Sequence, residues 1–237
     1  GYVGNFEVTI RKKARSVDMK KCTGCGTCMT KCPGKADDEF NMNLRKRTAI
    51  YTPFPQAIPN KPVIDRVNCL KFKSRENGKD VCGICSKFCP TGAIDYEQVD
   101  ELVTEKYGAI VMATGYEQFD HSVYGEYGYG KYKDVISGLH FERLVNASGP
   151  TQGHIVRPSD HKEPKTVVMV KCVGSRDPEH GKSYCSRTCC MYTAKQATMI
   201  RDHCPDTKVY VFYMDVRTPG KLYDEFYNRT KIGRAHV

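Results

Sequence analysis

The segment CTGCGTCMTKCP, from Cys22 to Pro33, decides the fold of the chain around it. Its four cysteines follow the pattern C-x2-C-x2-C-x3-C-P, so three of them recur at intervals of three residues. Cysteine thiolates at this spacing hold iron–sulfur clusters, because a tight loop turns several thiolates toward irons that lie close together. Gly24 and Gly26 permit the positive φ angles of such a loop, and Pro33 fixes the direction of its exit. The segment therefore predicts a cluster site.

A second cysteine run follows later in the chain. Cys69 precedes CGICSKFCP, from Cys82 to Pro90, so C-x2-C-x3-C-P recurs with its first cysteine displaced upstream by an insertion. The ending CPTGAI resembles the second half of two-cluster ferredoxins, in which the fourth cysteine of each run ligates the other cluster. The long spacing between Cys69 and Cys82 departs from that family's pattern. The resemblance implies one [4Fe-4S] cluster on Cys22, Cys25, Cys28 and Cys89, and another on Cys69, Cys82, Cys85 and Cys32.

Zinc is the alternative for these eight cysteines. Zinc sites also use C-x2-C pairs, but they place them in two well-separated knuckles. Three cysteines at three-residue intervals crowd a single tetrahedral site and leave one thiol idle, so the spacing favours iron–sulfur clusters.

Composition limits the function classes. A chain of 237 residues predicts one or two domains, and the lack of an apolar run of about 18 residues predicts no membrane span. The thirteen cysteines lie mostly in short groups, which favours metal binding in a reducing compartment, and we expect a cytoplasmic protein. The net charge of +10 includes basic clusters at Lys12–Arg15 and Arg45–Arg47. No recognition motif accompanies them, so we expect solvated faces and a docking surface for an acidic electron carrier, and no nucleic-acid partner.

Two segments outside the cysteine runs predict parts of a larger sheet. Gly1–Val17 alternates in part and starts without a methionine, so we interpret the chain as an internal fragment. Tyr107–Gly115 is a short apolar run ending in Ala-Thr-Gly, which predicts a buried parallel strand that opens onto a ligand; an ordinary core strand is the alternative. The ending resembles the second FAD-contacting signature of thioredoxin-reductase-like flavoproteins, which implies FAD contacts by Thr114 and Gly115. The first FAD signature, G-x-G-x-x-G, is absent from this sequence, so FAD is expected in the full-length parent.

A βαβ unit is predicted near the end of the chain. Strands at Thr166–Val170 and Lys208–Met214 flank a helix from about Cys189 to His203. The loop after the first strand carries C-x12-C-x3-C-C where dinucleotide-binding proteins carry a glycine-rich turn. We predict a third cluster there; reduced core thiols or a redox disulfide pair are the alternatives, and Cys204 is left unliganded. The predicted ligands are Cys172, Cys185, Cys189 and Cys190.

These features together resemble the A subunit of heterodisulfide reductase. The shared motifs are the two-cluster module, the Ala-Thr-Gly strand, GEYGYG at Gly125–Gly130, CVGSRD from Cys172 and CSRTCCMY from Cys185. The resemblance implies flavin-based electron bifurcation between FAD and [4Fe-4S] clusters, with a cluster beside the flavin. It also implies the other subunits of a heterodisulfide reductase-type complex, and a ferredoxin or hydrogenase-type electron carrier, as partners. A non-catalytic, polyferredoxin-like electron relay without flavin turnover is the alternative.

Lys195 is the candidate residue for tuning the flavin. It lies five residues beyond Cys190 on the predicted helix, and a cation near a flavin would stabilise its reduced anionic form. A solvent-facing helix lysine is the alternative.

The predicted fold class is α/β. It is a fragment of a two-dinucleotide-domain, thioredoxin-reductase-like flavoprotein with an inserted α+β two-cluster ferredoxin module. We assign residues 1–17 to the strand end of the FAD-binding domain, 18–98 to the inserted module, 99–160 to the continuation of the FAD-binding domain and 161–231 to the start of the second βαβ unit. Residues 232–237, IGRAHV, match one reading frame of a sequencing adapter, so we predict an assembly artefact without function.

Overall fold

The computed structural model describes residues 1–232, and the rest of the predicted artefact, residues 233–237, lies outside the described residues. The chain divides into two compact units, Gly1–Gly115 and Tyr116–Val237. This division falls inside the segment 99–160, which the sequence assigns to one domain. No helix in residues 1–232 combines the length and the apolar character needed to cross a membrane.

The first unit is built from short elements joined by loops. In chain order they are β1 (Phe6–Lys12), α1 (Thr27–Lys31), β2 (Lys35–Asp37), β3 (Lys46–Thr48), β4 (Ile50–Tyr51), β5 (Val63–Ile64), α2 (Leu70–Glu76), α3 (Ile84–Lys87) and β6 (Glu101–Tyr107). β2 pairs with β3, and β4 pairs with β5, both antiparallel. The cysteine runs therefore lie on loops and short helices between small two-stranded sheets.

The core of the first unit contains cysteines. Its buried members are Val17, Cys28, Ala49, Ile50, Ile64, Cys69, Cys85 and Ala93. Partly buried side chains pack around them, namely Cys22, Met29, Cys32, Phe72, Cys89, Ile94 and Tyr96. Three of these eight buried residues are cysteines, so the thiols form part of the interior of this unit.

The predicted strand at Tyr107–Gly115 is wrong. The structure instead pairs β1 antiparallel with β6, in register from Phe6 opposite Tyr107 to Lys12 opposite Glu101. Residues 108–115 form neither helix nor strand and are exposed. A strand forms where a partner offers its backbone groups, and β1 offers them to the charged segment 101–107 instead of to the apolar run that follows.

The second unit contains the predicted βαβ arrangement. Its elements are α4 (Gly138–Leu144), β7 (Thr166–Val170), α5 (Cys189–His203), β8 (Lys208–Phe212) and α6 (Tyr223–Ile232). β7 and β8 pair in parallel, with Thr166 opposite Lys208. The prediction of two strands joined across a helix is confirmed, with the second strand two residues shorter than predicted.

Helix α5 anchors the core of the second unit. Ala197 and Ile200 lie one turn apart on α5 and are almost fully buried, as helical periodicity requires of a core-facing stripe. They pack with the following buried residues: Phe141, Ile155, Cys204 and Val209. The N-terminus of α5 carries Cys189 and Cys190, so the same packing fixes the position of these two thiols.

Candidate iron–sulfur cluster sites

A first cavity lies where the first cysteine run meets the end of the second. Its lining includes Cys22, Cys25, Cys28 and Cys89, together with Val17, Pro62 and Ile94. Gly24 and Gly26 adopt φ angles of 75° and 77°, as the sequence of the loop predicted. A Cβ atom on Gly24 would lie 2.8 Å from the carbonyl oxygen of Asn60, so a side chain is excluded there. The tight loop can therefore close around the cavity.

Hydrogen-bond donors surround the thiols of the first cavity. The backbone N–H of Gly24 donates to Cys22 Sγ at 3.4 Å, and that of Ala93 donates to Cys89 Sγ at 3.3 Å. The hydroxyl of Thr27 lies 3.5 Å from Cys25 Sγ, and its hydrogen bonding lowers the pKa of that thiol. These donors favour the thiolate form, which is the form that binds iron.

The first cavity also contains one deeply placed thiol. Burial, and to a smaller extent the neighbouring Cys85, raises the pKa of Cys28 to about 11. Cys89 is different, because although burial opposes ionisation, hydrogen bonds from Ala93 and Thr91 lower its pKa overall. An uncompensated Cys28 thiolate is unfavourable, so this position suits a bound cation that neutralises it.

A second cavity lies beside helix α2 of the first unit. Its lining includes Cys32, Cys69, Cys82 and Cys85, together with Ile50, Ile64, Leu70, Lys71 and Tyr96. Cys32 leaves α1 in extended conformation ahead of Pro33. Cys69 directly precedes α2, and its N–H donates to the carbonyl of Asp65 at 2.9 Å. The structure thus brings together the same two groups of four cysteines that the ferredoxin resemblance implied.

Tyr96 is a residue that the sequence reasoning missed. Its hydroxyl lies 2.9 Å from Cys85 Sγ. Burial and the hydrogen bond to Cys85 both raise the pKa of Tyr96, so the phenol keeps its proton. The available signal was the insertion itself: Leu70–Glu76 contains no Gly or Pro and forms a helix whose Phe72 ring packs edge-on against Tyr96.

The cysteines of the predicted third cluster lie in the second unit. Cys189 and Cys190 are buried at the start of α5, whereas Cys172 and Cys185 are partly exposed on the preceding loop. Cys190 Sγ accepts the backbone N–H of Arg217 at 3.4 Å.

The four cysteines influence the pKa values of two nearby side chains, Tyr192 and Arg176. Burial, and to a smaller extent the nearby thiols of Cys189, Cys172 and Cys190, raises the pKa of Tyr192 to about 12. Arg176 forms an ion pair with Asp215, which raises the pKa of Arg176, and the thiols of Cys172 and Cys185 add smaller contributions. The four cysteines therefore share one region of the second unit.

The predicted flavin-contacting residues lie on the surface of the two units. Thr114 and Gly115 lie in the exposed segment after β6, where Gly115 has a φ of 79° and no atom within 4 Å of an added Cβ. Lys195 is half-exposed on α5, and its Nζ lies 2.7 Å from Glu142 Oε2 on α4. Lys195 is thus the lysine of a surface ion pair in the second unit.

The donor chemistry of the two cavities fits iron–sulfur clusters. All thirteen cysteines are free thiols. Within residues 1–232, no group of three or more cysteine, histidine or acidic side chains has the geometry to hold a metal ion. A cubane carries its thiolates on separate irons, so it needs thiols arranged around a cavity, and each cavity supplies four.

The cavities and their thiols define an iron–sulfur protein, and residues 15–36 match the 4Fe-4S binding domain family. The chain is 49% identical over 98% of its length to the iron–sulfur A subunit of CoB–CoM heterodisulfide reductase from Methanocaldococcus jannaschii. It is 50% identical over 98% of its length to the iron–sulfur A subunit 1 of the same enzyme from Methanopyrus kandleri. It is 45% identical over 98% of its length to the A subunit of H2:CoB–CoM heterodisulfide,ferredoxin reductase from Methanothermobacter thermautotrophicus. The chain belongs to this family of heterodisulfide reductase A subunits, and it spans 34% of the length of each of these relatives.

Proposed function

We propose that this chain transfers electrons through two [4Fe-4S] clusters as part of a heterodisulfide reductase-type A subunit. The observation that carries the proposal is the crossed lining of the cavities. Cys89 of the second run lines the first cavity, and Cys32 of the first run lines the second. When bound, the clusters would supply one-electron transfer, and the chain would supply their thiolates, hydrogen bonds and shielding from water.

The fold brings the two cavities close to each other. Helix α1 carries Cys28 and packs against α3, which carries Cys85. Both thiols are buried, and Cys85 is the largest electrostatic influence on the pKa of Cys28 after burial. Groups held this near to one another can exchange electrons without leaving the unit.

Cysteine-to-serine variants test the crossed arrangement. The measurement is whether the iron lost in a double variant equals the sum of the iron lost in the two single variants. Removing two ligands of one cluster loses no more iron than removing one, whereas ligands of different clusters give additive losses. We expect Cys25→Ser and Cys89→Ser together to remove about four irons, and Cys25→Ser and Cys32→Ser together to remove about eight. Iron and sulfide are measured on anaerobically reconstituted protein, with Cys204→Ser as the control. The opposite pattern of additivity contradicts crossed ligation, and zinc in place of iron contradicts the function.

The proposal extends to the second unit and to the parent protein. A third cluster on Cys172, Cys185, Cys189 and Cys190 is supported by their grouping around Tyr192 and Arg176. FAD would bind in the two-dinucleotide-domain parent, to which we assign residues 1–17 and 99–160 as one domain, 18–98 as the insert and 161–231 as the start of the other. Thr114 and Gly115 would contact FAD, and Lys195 would tune it. A flavin midpoint potential that is unchanged in Lys195→Ala contradicts that role.

The relatives' names support a proposal for the physiological setting. They describe reductases of the CoB–CoM heterodisulfide, one of them also of ferredoxin with H2 as donor. By this likeness, the parent would work in the cytoplasm with the other subunits of such a complex. A ferredoxin or hydrogenase-type carrier would exchange electrons with it, and flavin-based bifurcation would divide electron pairs between the two acceptors.

An electron relay without flavin turnover is the second candidate. It is favoured by the pairing of Lys195 with Glu142 and by the exposure of Thr114 and Gly115. The two candidates differ in a flavin absorption spectrum of protein reconstituted with iron, sulfide and FAD. Stoichiometric retention of FAD favours the flavoprotein, and cluster absorption without flavin favours the relay.

A further inference from the structure

The two cavities differ at one equivalent cysteine. Cys28 and Cys85 occupy the same place in the repeated C-x3-C-P pattern, and both are buried. Cys85 lies 2.9 Å from the Tyr96 hydroxyl, whereas Cys28 accepts no side-chain hydrogen bond within residues 1–232. Because a ligating thiolate has no proton, Tyr96 must be the donor once Cys85 binds iron.

The hydroxyls at the first cavity are weaker donors to sulfur. Thr27 lies 3.5 Å from Cys25, and Thr91 lies 3.7 Å from Cys89. Cys25 is exposed, so water competes for its sulfur, whereas Cys85 is 8% exposed. A hydrogen bond in a buried, water-poor site is electrostatically stronger than the same bond in contact with solvent.

The inserted helix α2 holds cations against the Tyr96 ring. Lys71 Nζ lies 4.8 Å from the ring centroid, and Arg75 Cζ lies 5.8 Å from it. Lys71 also lines the second cavity and is fixed by an ion pair of 2.5 Å with Asp80. Cations over the ring draw electron density from the phenol and strengthen its O–H as a donor. The twelve-residue segment between Cys69 and Cys82 thus places a cation, Lys71, in the lining of the second cavity, whereas, among residues 1–232, the lining of the first cavity contains no lysine or arginine.

We propose that Tyr96, acting through Cys85, raises the reduction potential of the second cluster. The inference rests on the proposed function, in which both clusters are present. Reduction adds one negative charge to a cluster, so a donor to its thiolate stabilises the reduced form more than the oxidised form. A higher potential at the second cluster would favour transfer of one electron to it from the first, which would be oxidised as the second is reduced. No proton is transferred, because Tyr96 only donates a hydrogen bond.

Tyr96→Phe tests this role in the full chain, reconstituted anaerobically and titrated by EPR. We expect the second cluster's reduced form to lose about tenfold in relative stability, a fall of about 59 mV for a one-electron couple, with an unchanged first cluster and full iron content. A parallel titration in a Cys25→Ser background assigns the signals, because that change disables the first site. Tyr51→Phe is the matched control, since Tyr51 also carries a cation on its ring but lines neither cavity.

Lys71→Gln provides an independent variant that keeps the hydroxyl. It should lower the potential of the same cluster by a smaller amount. The proposal is overturned if Tyr96→Phe keeps its full iron content and the reduction potential of the second cluster is unchanged. It is also overturned if the potentials of both clusters shift equally. If Tyr96→Phe loses iron from the second site, the Lys71→Gln titration decides, and an unchanged potential there overturns the proposal. Iron analysis of the unsubstituted chain separates these outcomes from failure of the proposed function, because that failure would give fewer than two clusters per chain.

Discussion

The clearest stability test concerns Arg47, which connects β3 to Glu39, Asp65 and Tyr51 in the first unit. Its guanidinium donates to both carboxylate oxygens of Glu39, at 2.7 and 2.8 Å, and to Asp65 at 3.1 Å. Its Cζ also lies 3.7 Å from the centroid of the Tyr51 ring. The Arg47 side chain is 9% exposed, so these contacts are made largely out of water. Arg47→Met keeps the apolar stem and removes all of them.

The loss of stability in Arg47→Met depends on how deeply each partner of Arg47 is buried. Glu39 is mostly exposed, so its ion pair contributes about 0.5 kcal/mol. Asp65 is mostly buried, and the loss of a charged hydrogen bond there costs about 1.5 kcal/mol. The contact with the Tyr51 ring contributes about 1 kcal/mol. Together these contacts stabilise the unit by about 3 kcal/mol, which corresponds to a fall of about 10 °C in melting temperature.

Lys46→Met is the control, because it lies next to Arg47 on β3 and its ion pair with Asp37 is exposed. We expect it to change the free energy of unfolding by less than about 0.5 kcal/mol. The assay is the melting temperature of reconstituted protein, followed by far-ultraviolet circular dichroism and by the visible absorption of the clusters. Asp65 also binds Asn68, next to Cys69, so the cluster absorption should be lost at a lower temperature as well. Equal melting temperatures for the two variants would refute the reasoning.

Two further substitutions test the loops and the core. Gly26→Ala places a side chain at a φ of 77° and should destabilise the first unit by about 1 kcal/mol while lowering its iron content; Gly83→Ala, at negative φ, is the control, and equal iron in both contradicts the loop argument. Ile200→Ala removes a fully buried side chain from α5 and should cost about 3 kcal/mol, measured by urea unfolding; a loss below about 1 kcal/mol contradicts its central place in that core.

The sequence predicted the chemistry of the first unit better than its strands. Cysteine spacing is a local property, so the glycine loop and the two cysteine runs could be inferred from the chain alone. The division of the cysteines into two groups of four came from the resemblance to two-cluster ferredoxins. Strand pairing is not local, because β1 and β6 are separated by the whole cysteine module. The apolar run after Tyr107 looked like the better strand, but hydrophobicity does not identify the partner that a strand pairs with.

The second unit shows the same limit in another form. Helix α5 and strand β7 were predicted with the bounds that the structure has, because each carries a strong local pattern. The partner of Lys195 could not be predicted, since Glu142 approaches it from another helix. Tyr96 was missed for the same reason: the sequence of the insertion indicates a helix, but only the folded chain shows that α2 packs cations onto the Tyr96 ring.

The antiparallel ribbon of β1 and β6 has a consequence for how such a protein could arise and be rebuilt. The cysteine module leaves β1 after Lys12 and returns to β6 at Glu101, and these two residues are opposite each other. Directly opposed residues in such a ladder have Cα atoms about 5 Å apart. A gene segment encoding residues 13–100 could thus be exchanged as a cassette, because a short turn spans the same gap. The ribbon thus provides two adjacent attachment points for an insert, and the distance between these points does not depend on the length of the insert.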